Sequence, residues 1–356
     1  WEAAYGKSYR VQKSQDGINW ADVYAATNAD GSDDYIDFDP PFVAQYIRLY
    51  GQERGTPYGY SLWELQVFAI PTELAGSVKV PDAYAGIYTI AEAVAAAGRN
   101  YRLNIIDGTY EENVVIADTA RDIVLCGAIG HASVTTVKGA IALLGTSATF
   151  KDLHLLYDNQ NPVSYNNLEL IGDAAVTAVD SGITVRDCII DAETTHTGKG
   201  IQIWNMYGSS NNAPTIENNL IMNTDTGIGL FSQVFGGAIK GRITNNTFVA
   251  NNRGILLRMH KENPLIKDNI ITGSSDGIHI SYQDGTLLND RIPNITGNVL
   301  FDNDHNVWCD ALQEELAPLP DKATEQQDNL YIDPQLDTDY LPQDPEAQGK
   351  GYIPQD

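Results

Sequence analysis

Five repeated strand motifs bring chemically reactive side chains to matching positions along the chain. The motifs are GIQI, GIGL, GILL, GIHI and NVWC, from Gly200 to Cys309. If the second and fourth positions of each motif point inward, the third position and the residue after the motif point outward, because side chains alternate along a β-strand. Two outward columns follow: Gln202, Gly229, Leu256, His279 and Trp308, and beside them Trp204, Phe231, Arg258, Ser281 and Asp310.

These columns and the strand ends beside them contain the groups that a polysaccharide lyase needs. Such an enzyme uses a cation to neutralise the uronate carboxylate, a base to remove the neighbouring proton and an acid to protonate the leaving oxygen. Arg258 could supply the cation, His279 or His260 the base, and Tyr282 the acid. Aromatic rings for sugar stacking and polar groups near them make up the predicted substrate-binding set: Gln202, Trp204, Phe231, Trp308, Asp310 and Lys261.

A pair of carboxylates would instead favour glycoside hydrolysis, which needs two carboxyl groups about 5 to 9.5 Å apart. Asp225 and Asp276 are candidates because they occupy the turns before GIGL and GIHI, and Asp284 and Asp310 are the other acids nearby. Ordinary roles stay open for all of these residues. Aspartates in turns commonly serve the turn itself, and a surface arginine in an ion pair or an exposed histidine needs no catalytic function.

A second repeat, approximately I-x-(N/D)-N-x-I, precedes these motifs and predicts the fold. Its copies VRDCII, IENNLI, ITNNTF, IKDNII and ITGNVL align Cys188, Asn219, Asn246, Asn269 and Asn298, with spacings of 31, 27, 23 and 29 residues. One such repeat per coil is typical of a solenoid. Inward asparagines at a tight bend can hydrogen-bond to the coils above and below, which predicts a structural ladder that ends at Cys188.

The segment VPDAYAGIYTIAEAVAAAGRNYRLNIIDGTYEENVVI resembles the start of pectate-lyase-like and pectin-esterase-like β-helix proteins. The resemblance implies an all-β fold, a right-handed single-stranded parallel β-helix over residues 80–311. Ala91–Gly98 has the apolar spacing of a short helix that would cover the first coil. Residues 312–356 resemble the C-terminal closures of secreted bacterial β-helices and are expected to close the last coil. The catalytic motifs of these families are missing, so the resemblance implies no activity.

Residues 1–70 predict a separate domain of short antiparallel strands, followed by a linker at 71–79. The segments YGKSYRVQKSQDGINWADV and FVAQYIRLYGQERGTPYGYSLWELQVFA resemble the second half of discoidin-type, coagulation-factor C-type modules. That family often binds sugars, which implies a polysaccharide partner. A half-sandwich exposes strand edges, so we expect upstream sequence or another chain to complete it. A calcium ion could be held by oxygen-rich residues of one loop, with a plain turn as the alternative: Asn28, Asp30, Asp33 and Asp34.

The chain is strongly acidic, with 47 Asp and Glu residues against 22 Lys and Arg residues and a net charge of −25. Binding of a nucleic acid or an anionic membrane requires a basic face, so neither is expected as a partner. No apolar run is long enough to span a bilayer. Cys126, Cys188 and Cys309 fall at inward or ladder positions, so we expect three buried thiols.

Two functions stay open from the sequence. The first is a secreted carbohydrate-active enzyme, of a style similar to secreted bacterial proteins, in which the discoidin-like module holds a polysaccharide and the β-helix cleaves it. The second is a non-catalytic extracellular scaffold, adhesin or filament subunit. An open groove around Arg258 and His279 would favour the enzyme, and an occluded face would favour the scaffold.

Overall fold

The computed structural model describes most of the chain in two compact units, Trp1–Thr72 and Glu73–Asp356. The described residues are 4–29, 31, 36, 42, 44–61, 65, 76–83, 85–117, 122–128, 130–158, 173–192, 197–206, 213–232, 239–258, 264–281, 293–310, 314–315 and 328–354. Within them, no helix is long and apolar enough to cross a membrane.

The N-terminal unit contains one antiparallel sheet. Its strands are β1 (Gly6–Ser14), β2 (Ala21–Ala26) and β3 (Tyr46–Arg54), in the order β2-β1-β3. Alternate residues of β1 face a small core, in which Tyr9 and Val11 pack with Ala26. The same alternation places Ile47 and Leu49 of β3 against this core, as expected for a strand with one buried face. The predicted antiparallel sheet is therefore present in this unit.

The second unit is a right-handed parallel β-helix, in which each coil adds one strand to each of three sheets. The first sheet contains β4 (Gly76–Val80), β5 (Tyr101–Ile105), β8 (Asp122–Cys126), β11 (Ser147–Lys151), β14 (Gly182–Arg186), β17 (Thr215–Glu217), β20 (Arg242–Thr244), β23 (Leu265–Lys267) and β26 (Asn294–Thr296). The second contains β6 (Gly108–Glu111), β9 (Thr135–Lys138), β12 (His154–Leu156), β15 (Ile189–Asp191), β18 (Leu220–Met222), β21 (Thr247–Val249), β24 (Ile270–Thr272) and β27 (Val299–Phe301).

The third sheet contains the repeated motifs. Its strands are β7 (Val114–Ile116), β10 (Ile141–Leu144), β13 (Ala174–Val179), β16 (Lys199–Asn205), β19 (Thr226–Ser232), β22 (Arg253–Arg258), β25 (Asp276–Ile280), β28 (His305–Cys309) and the antiparallel β29 (Glu314–Glu315). The second motif position is buried in every coil and forms one apolar column: Ile201, Ile228, Ile255, Ile278 and Val307. The predicted inward direction of these side chains is confirmed.

The asparagine ladder is confirmed, and it continues one coil beyond the predicted set. The backbone N–H of Cys188 donates to Asn219 Oδ1 (3.0 Å), and the same contact recurs coil by coil up to Asn298, whose N–H donates to Asn329 Oδ1 (3.0 Å). Each ladder Nδ2 also donates to a strand carbonyl of the preceding coil, as Asn246 does to Ile216 O (2.9 Å). The bend would otherwise leave these buried backbone groups unpaired, which is costly.

The glycine that opens each of the first four motifs is required by the close approach of the next coil. A Cβ at Gly200 would lie 2.6 Å from the carbonyl oxygen of Gly227, and a Cβ at Gly227 would lie 2.6 Å from that of Gly254. The same contact would be 2.5 Å at Gly254 and 2.7 Å at Gly277. No side chain fits at these distances, so the repeated glycine is explained by packing between coils.

A short helix covers the first coil. Helix α1 (Ile90–Ala96) begins with a capping box, in which the Thr89 hydroxyl accepts from the Glu92 N–H and the Glu92 carboxylate accepts from the Thr89 N–H. Ile90 and Val94 are buried in the core of the β-helix. The helix lies within one residue or two of the predicted Ala91–Gly98. A single-turn 3₁₀ helix occurs at Ala132–Val134.

The C-terminal segment adds part of a coil and then runs back along the β-helix. After Asn329, the chain crosses the turns between the first and second sheets. The Gly351 N–H donates to Asp268 O (2.8 Å), and the Asn218 amide both accepts from the Ile353 N–H (2.7 Å) and donates to Ile353 O (2.8 Å). Strand β4 begins inside the range expected to be a linker, and it pairs with β5.

The three cysteines are free and buried, as the sequence predicts. Burial is the main cause that raises the pKa of the Cys126 and Cys188 thiols above their ordinary values. Arg102 Nη2 also lies 2.8 Å from Cys126 Sγ. Both thiols are therefore expected to be poorly reactive while the protein is folded.

Removing one amide from the ladder should destabilise the β-helix. Asn246→Ala leaves the Asn219 N–H and the Ile216 carbonyl without partners, so we expect a loss of about 2 to 4 kcal/mol in the free energy of unfolding. The measurement is a denaturant titration followed by circular dichroism. The control is Asn252→Ala, an exposed asparagine one turn away whose side chain donates to Asp225. Equal midpoints for the two variants would contradict a stabilising ladder.

Candidate functional site

Strand register places the predicted outward residues side by side on the third sheet. Gln202, Gly229, Leu256, His279 and Trp308 are partners of one another in successive strands. Trp204, Phe231 and Arg258 form the neighbouring column. The Ser281 and Asp310 backbones continue it, because their N–H groups donate to the carbonyls of Leu257 and Ile280. The two columns lie on one face of the sheet, as the repeat predicts.

The earlier coils of this face carry a buried apolar cluster. Trp204 and Phe231 are only 8% and 6% exposed, and their rings stack with centroids 4.4 Å apart. The Phe231 ring also lies over Gly229, where an added Cβ would come within 2.6 Å of it. Val179 belongs to the same cluster. In this structure the two rings pack on each other, so neither presents a free face for a sugar.

Gln202 is also buried, at 2% exposure, in a polar contact beside this cluster. With its amide oriented to satisfy both neighbours, it donates to Asp173 Oδ1 (2.8 Å) and accepts from Trp204 Nε1 (2.6 Å). Lys199 forms an ion pair with the same aspartate. The predicted sugar-binding role of Gln202 stays a prediction, and its hydrogen-bonding groups are already occupied within the protein.

The later coils of the face hold a compact polar cluster centred on His279. His279 Nδ1 lies 2.6 Å from Asp276 Oδ2, and its Nε2 lies 3.1 Å from Asp310 Oδ1. The Trp308 indole N–H donates to that same Asp310 oxygen (3.0 Å). The His279 side chain is 12% exposed, whereas Asp310 is 40% exposed. The structure thus brings together four of the predicted site residues, with the more exposed carboxylate on the solvent side.

His305 is a member of this cluster that the sequence analysis does not select. Its Nδ1 lies 2.9 Å from Asp276 Oδ1, so Asp276 contacts one imidazole through each oxygen. Its ring also packs against the Trp308 ring, with centroids 4.5 Å apart. The register could have identified it, because His305 lies opposite Asp276 in the next coil.

Hydrogen bonding keeps Asp310 ionised. Burial by itself would raise the pKa of Asp310, but the hydrogen bond from Ser281, the hydrogen bond and charge of His279 in its imidazolium form, and the hydrogen bond from Trp308 outweigh it and leave the pKa below the ordinary value. An ionised carboxylate beside an imidazole can accept a proton or stabilise the imidazolium. The pair is therefore suited to acid–base chemistry.

Arg258 is exposed at the end of β22, one coil before Ser281 in the same column. Among the described residues it has no ion-pair or hydrogen-bond partner. Its strand lies next to that of His279, about 4.8 Å away. A ligand carboxylate held by Arg258 would therefore lie near the His279 cluster.

The two turn aspartates are separated by an arginine. Asp225 forms an ion pair with Arg253 (3.6 Å) and accepts from Asn252 Nδ2 (3.0 Å). Arg253 is the strand partner of Asp276 and belongs to the coil between the two carboxylates. Strands two coils apart are about 9.6 Å from each other. The strand that carries Arg253 occupies the space between the two aspartates. Their hydrolytic role stays a prediction.

Several predicted positions lie outside the described residues: His260, Lys261, Tyr282, Asp284, Asp30, Asp33 and Asp34. Their roles, including the calcium loop, stay predictions. Among the described residues, no group of three or more His, Cys, Asp or Glu side chains is arranged to hold a metal ion.

The N-terminal unit has a shallow cavity of about 340 Å³ at one end of β1, lined by Lys13, Ser14, Gln15, Asp16, Asn19 and Ala21. Asp16 closes the turn there, because its carboxylate accepts from the backbone N–H groups of Asn19 and Ile18. These bonds hold the pKa of Asp16 well below its ordinary value. Elsewhere in this unit, the Arg48 guanidinium lies 3.9 Å from the centroid of the Trp20 ring.

The lowered pKa of Asp310 predicts how its contribution to stability depends on pH. Because the folded value lies below the unfolded one, ionised Asp310 stabilises the fold above about pH 4, and that contribution is lost as the pH falls through the folded pKa. We expect Asp310→Asn to lower the melting temperature at pH 7 and to converge with the unsubstituted protein in acid. Asp304→Asn, at an exposed site in the same coil, is the control. A difference that is constant with pH would contradict the argument.

Two parts of the chain match known family models. Residues 1–65 match the F5/8 type C domain, and residues 167–312 match the family described as periplasmic copper-binding protein (NosD). No curated protein matches the chain.

Solved structures similar to the chain include pectin methylesterase PemA from Erwinia chrysanthemi, at 14% identity over 67% of this chain and 81% of that one, with a TM-score of 0.31. Escherichia coli YbhC is similar at 12% identity over 71% of this chain and 76% of that one, with a TM-score of 0.32. The F5/8 type C match thus covers the N-terminal unit, and the NosD match covers the later coils of the β-helix.

Proposed function

We propose that this chain is an extracellular polysaccharide-binding protein whose β-helix acts on an acidic sugar chain at the His279 cluster. The observation that carries the proposal is the arrangement of His279 between Asp276 and Asp310, with the exposed Arg258 one coil away on the same face. The F5/8 type C match supports sugar binding by the N-terminal unit. Two binding units on one chain raise the local concentration of substrate.

The chemistry that this arrangement suits is β-elimination. Arg258 would hold the uronate carboxylate and stabilise the negative charge that develops when the neighbouring C–H bond breaks. His279 would take that proton through Nε2. The C–O bond to the leaving sugar then breaks as the C=C bond forms, and the departing oxygen takes a proton, for which Tyr282 is the predicted donor.

Copper binding is not part of the proposal. The NosD family is described as copper-binding, and imidazole is a suitable copper ligand. Among the described residues, however, no group of three or more His, Cys, Asp or Glu side chains is arranged to hold a metal ion, so these side chains do not fit a copper site.

A non-catalytic scaffold is the second candidate, and a specific observation favours it. The earlier coils of the same face are covered, since Trp204 and Phe231 pack on each other and Gln202 is buried. Only the later coils leave polar groups accessible. A rigid β-helix with a short accessible patch would also suit an adhesive protein that binds a sugar without cleaving it.

A panel of uronate-containing and neutral polysaccharides tests the proposal. We expect unsaturated uronate products, detected by ultraviolet absorbance, from the acidic substrates. Arg258→Ala should lower the rate about 100-fold or more, because it removes the cation that stabilises the transition state. Arg99→Ala is the matched control, since Arg99 is also exposed but pairs with Asp122 outside the site.

Three other outcomes would count against elimination at His279. New reducing ends without unsaturated products would indicate hydrolysis and favour the carboxylates Asp225 and Asp276. Binding without products would favour the scaffold. An equal loss in Arg258→Ala and Arg99→Ala would show that the effect is not specific to the site.

A further inference from the structure

Two carboxylates compete for the ring protons of His279. Asp276 Oδ2 faces Nδ1 at 2.6 Å, and Asp310 Oδ1 faces Nε2 at 3.1 Å. The imidazolium form can donate to both, but a neutral imidazole has one N–H and can donate to only one. The position of that single proton decides which nitrogen holds the lone pair and can act as a base.

Asp310 and Asp276 differ in the hydrogen bonds that they accept from residues other than His279. Asp310 Oδ1 already accepts from the Trp308 indole N–H at 3.0 Å, and Ser281 also hydrogen-bonds to Asp310. Asp276 Oδ1 receives the Nδ1–H of His305 at 2.9 Å. Among the described residues, Asp276 Oδ2 has no partner other than His279. If the proton of His279 moved to Nε2, this oxygen, in a side chain only 15% exposed, would lose its donor.

We infer that neutral His279 carries its proton on Nδ1, that Nε2 is its reactive nitrogen, and that Trp308 and His305 are the positioning residues that enforce this tautomer. The Trp308 indole N–H donates to Asp310, so Asp310 keeps a hydrogen-bond donor when Nε2 of His279 is unprotonated. His305 occupies one oxygen of Asp276 and so directs the other at His279. Nε2 is the atom that acts as the base in the proposed function, on which this assignment rests, and the tautomer can be measured without any sugar.

Trp308 has a role in positioning His279 that differs from the predicted contact with a sugar. Its indole N–H is bonded to Asp310, and its ring packs on His305. Trp308 therefore acts on His279 through Asp310, in addition to any contact that its ring makes with a sugar. An aromatic ring alone could provide the sugar contact, but only the indole N–H can provide the contact to Asp310.

Nuclear magnetic resonance of the full chain with ¹⁵N-labelled histidine measures the tautomer. His279 is assigned by the signal that is lost in His279→Gln. At a pH above its titration, long-range ¹H–¹⁵N correlations should show a protonated Nδ1 and an unprotonated Nε2. A protonated Nε2 in the unsubstituted protein would overturn the inference directly.

Two variants test the positioning residues. Trp308→Phe keeps a ring but removes the donor to Asp310, so the ratio of Nδ1–H to Nε2–H in neutral His279 should fall about tenfold. Asp276→Asn presents an amide in place of the carboxylate and should also shift the proton toward Nε2. Trp204→Phe is the matched control, because it removes an indole N–H that bonds to Gln202, away from the cluster.

The comparison between the tryptophan variants decides the role of Trp308. An unchanged tautomer in Trp308→Phe, or equal shifts in Trp308→Phe and Trp204→Phe, would overturn it. Failure of the proposed lyase activity with the Nδ1–H tautomer intact would leave this inference standing, because the tautomer depends only on the protein. Circular dichroism of each variant excludes unfolding as the cause of a shift.

Discussion

The stacking of one coil on the next is the interaction on which the rest of this structure depends. Within the described residues, the inner strands of the β-helix pair their backbone with the strands of the coils above and below them. The same stacking pairs each buried isoleucine with the equivalent residue of its neighbours. At the bend between the first and second sheets of the later coils, the asparagine ladder takes over the hydrogen bonds.

Constant register between coils also determines the candidate site. Because strand partners are fixed, His279 must lie beside Leu256 and Trp308, and Asp276 beside Arg253 and His305. The spacing between coils brings groups from two coils within hydrogen-bonding distance of one imidazole. The turns between sheets can vary in length without altering these neighbours. A β-helix therefore tolerates irregular repeats while keeping a precise polar cluster.

One face of the third sheet serves two physical purposes. Its earlier coils bury the Trp204 and Phe231 rings and gain apolar contact area. Its later coils leave charged side chains partly exposed, where ion pairs with one another limit the cost of partial burial. The exposed Arg258 lies at the boundary between the two parts. In a chain with a net charge of −25, an exposed cation at this boundary is a distinctive feature for an anionic ligand.

The sequence by itself determined the period, the inward and outward residues, the ladder and the covering helix, because these follow from local alternation and from repeats of near-constant length. The tertiary structure alone decided that Trp204 and Phe231 are buried, that His305 joins Asp276, and that residues 349–353 pair with earlier coils. The physical reason is that the repeat fixes which backbone positions are neighbours. Side-chain rotamers and segments outside the repeat then decide which of those neighbours touch and which are covered.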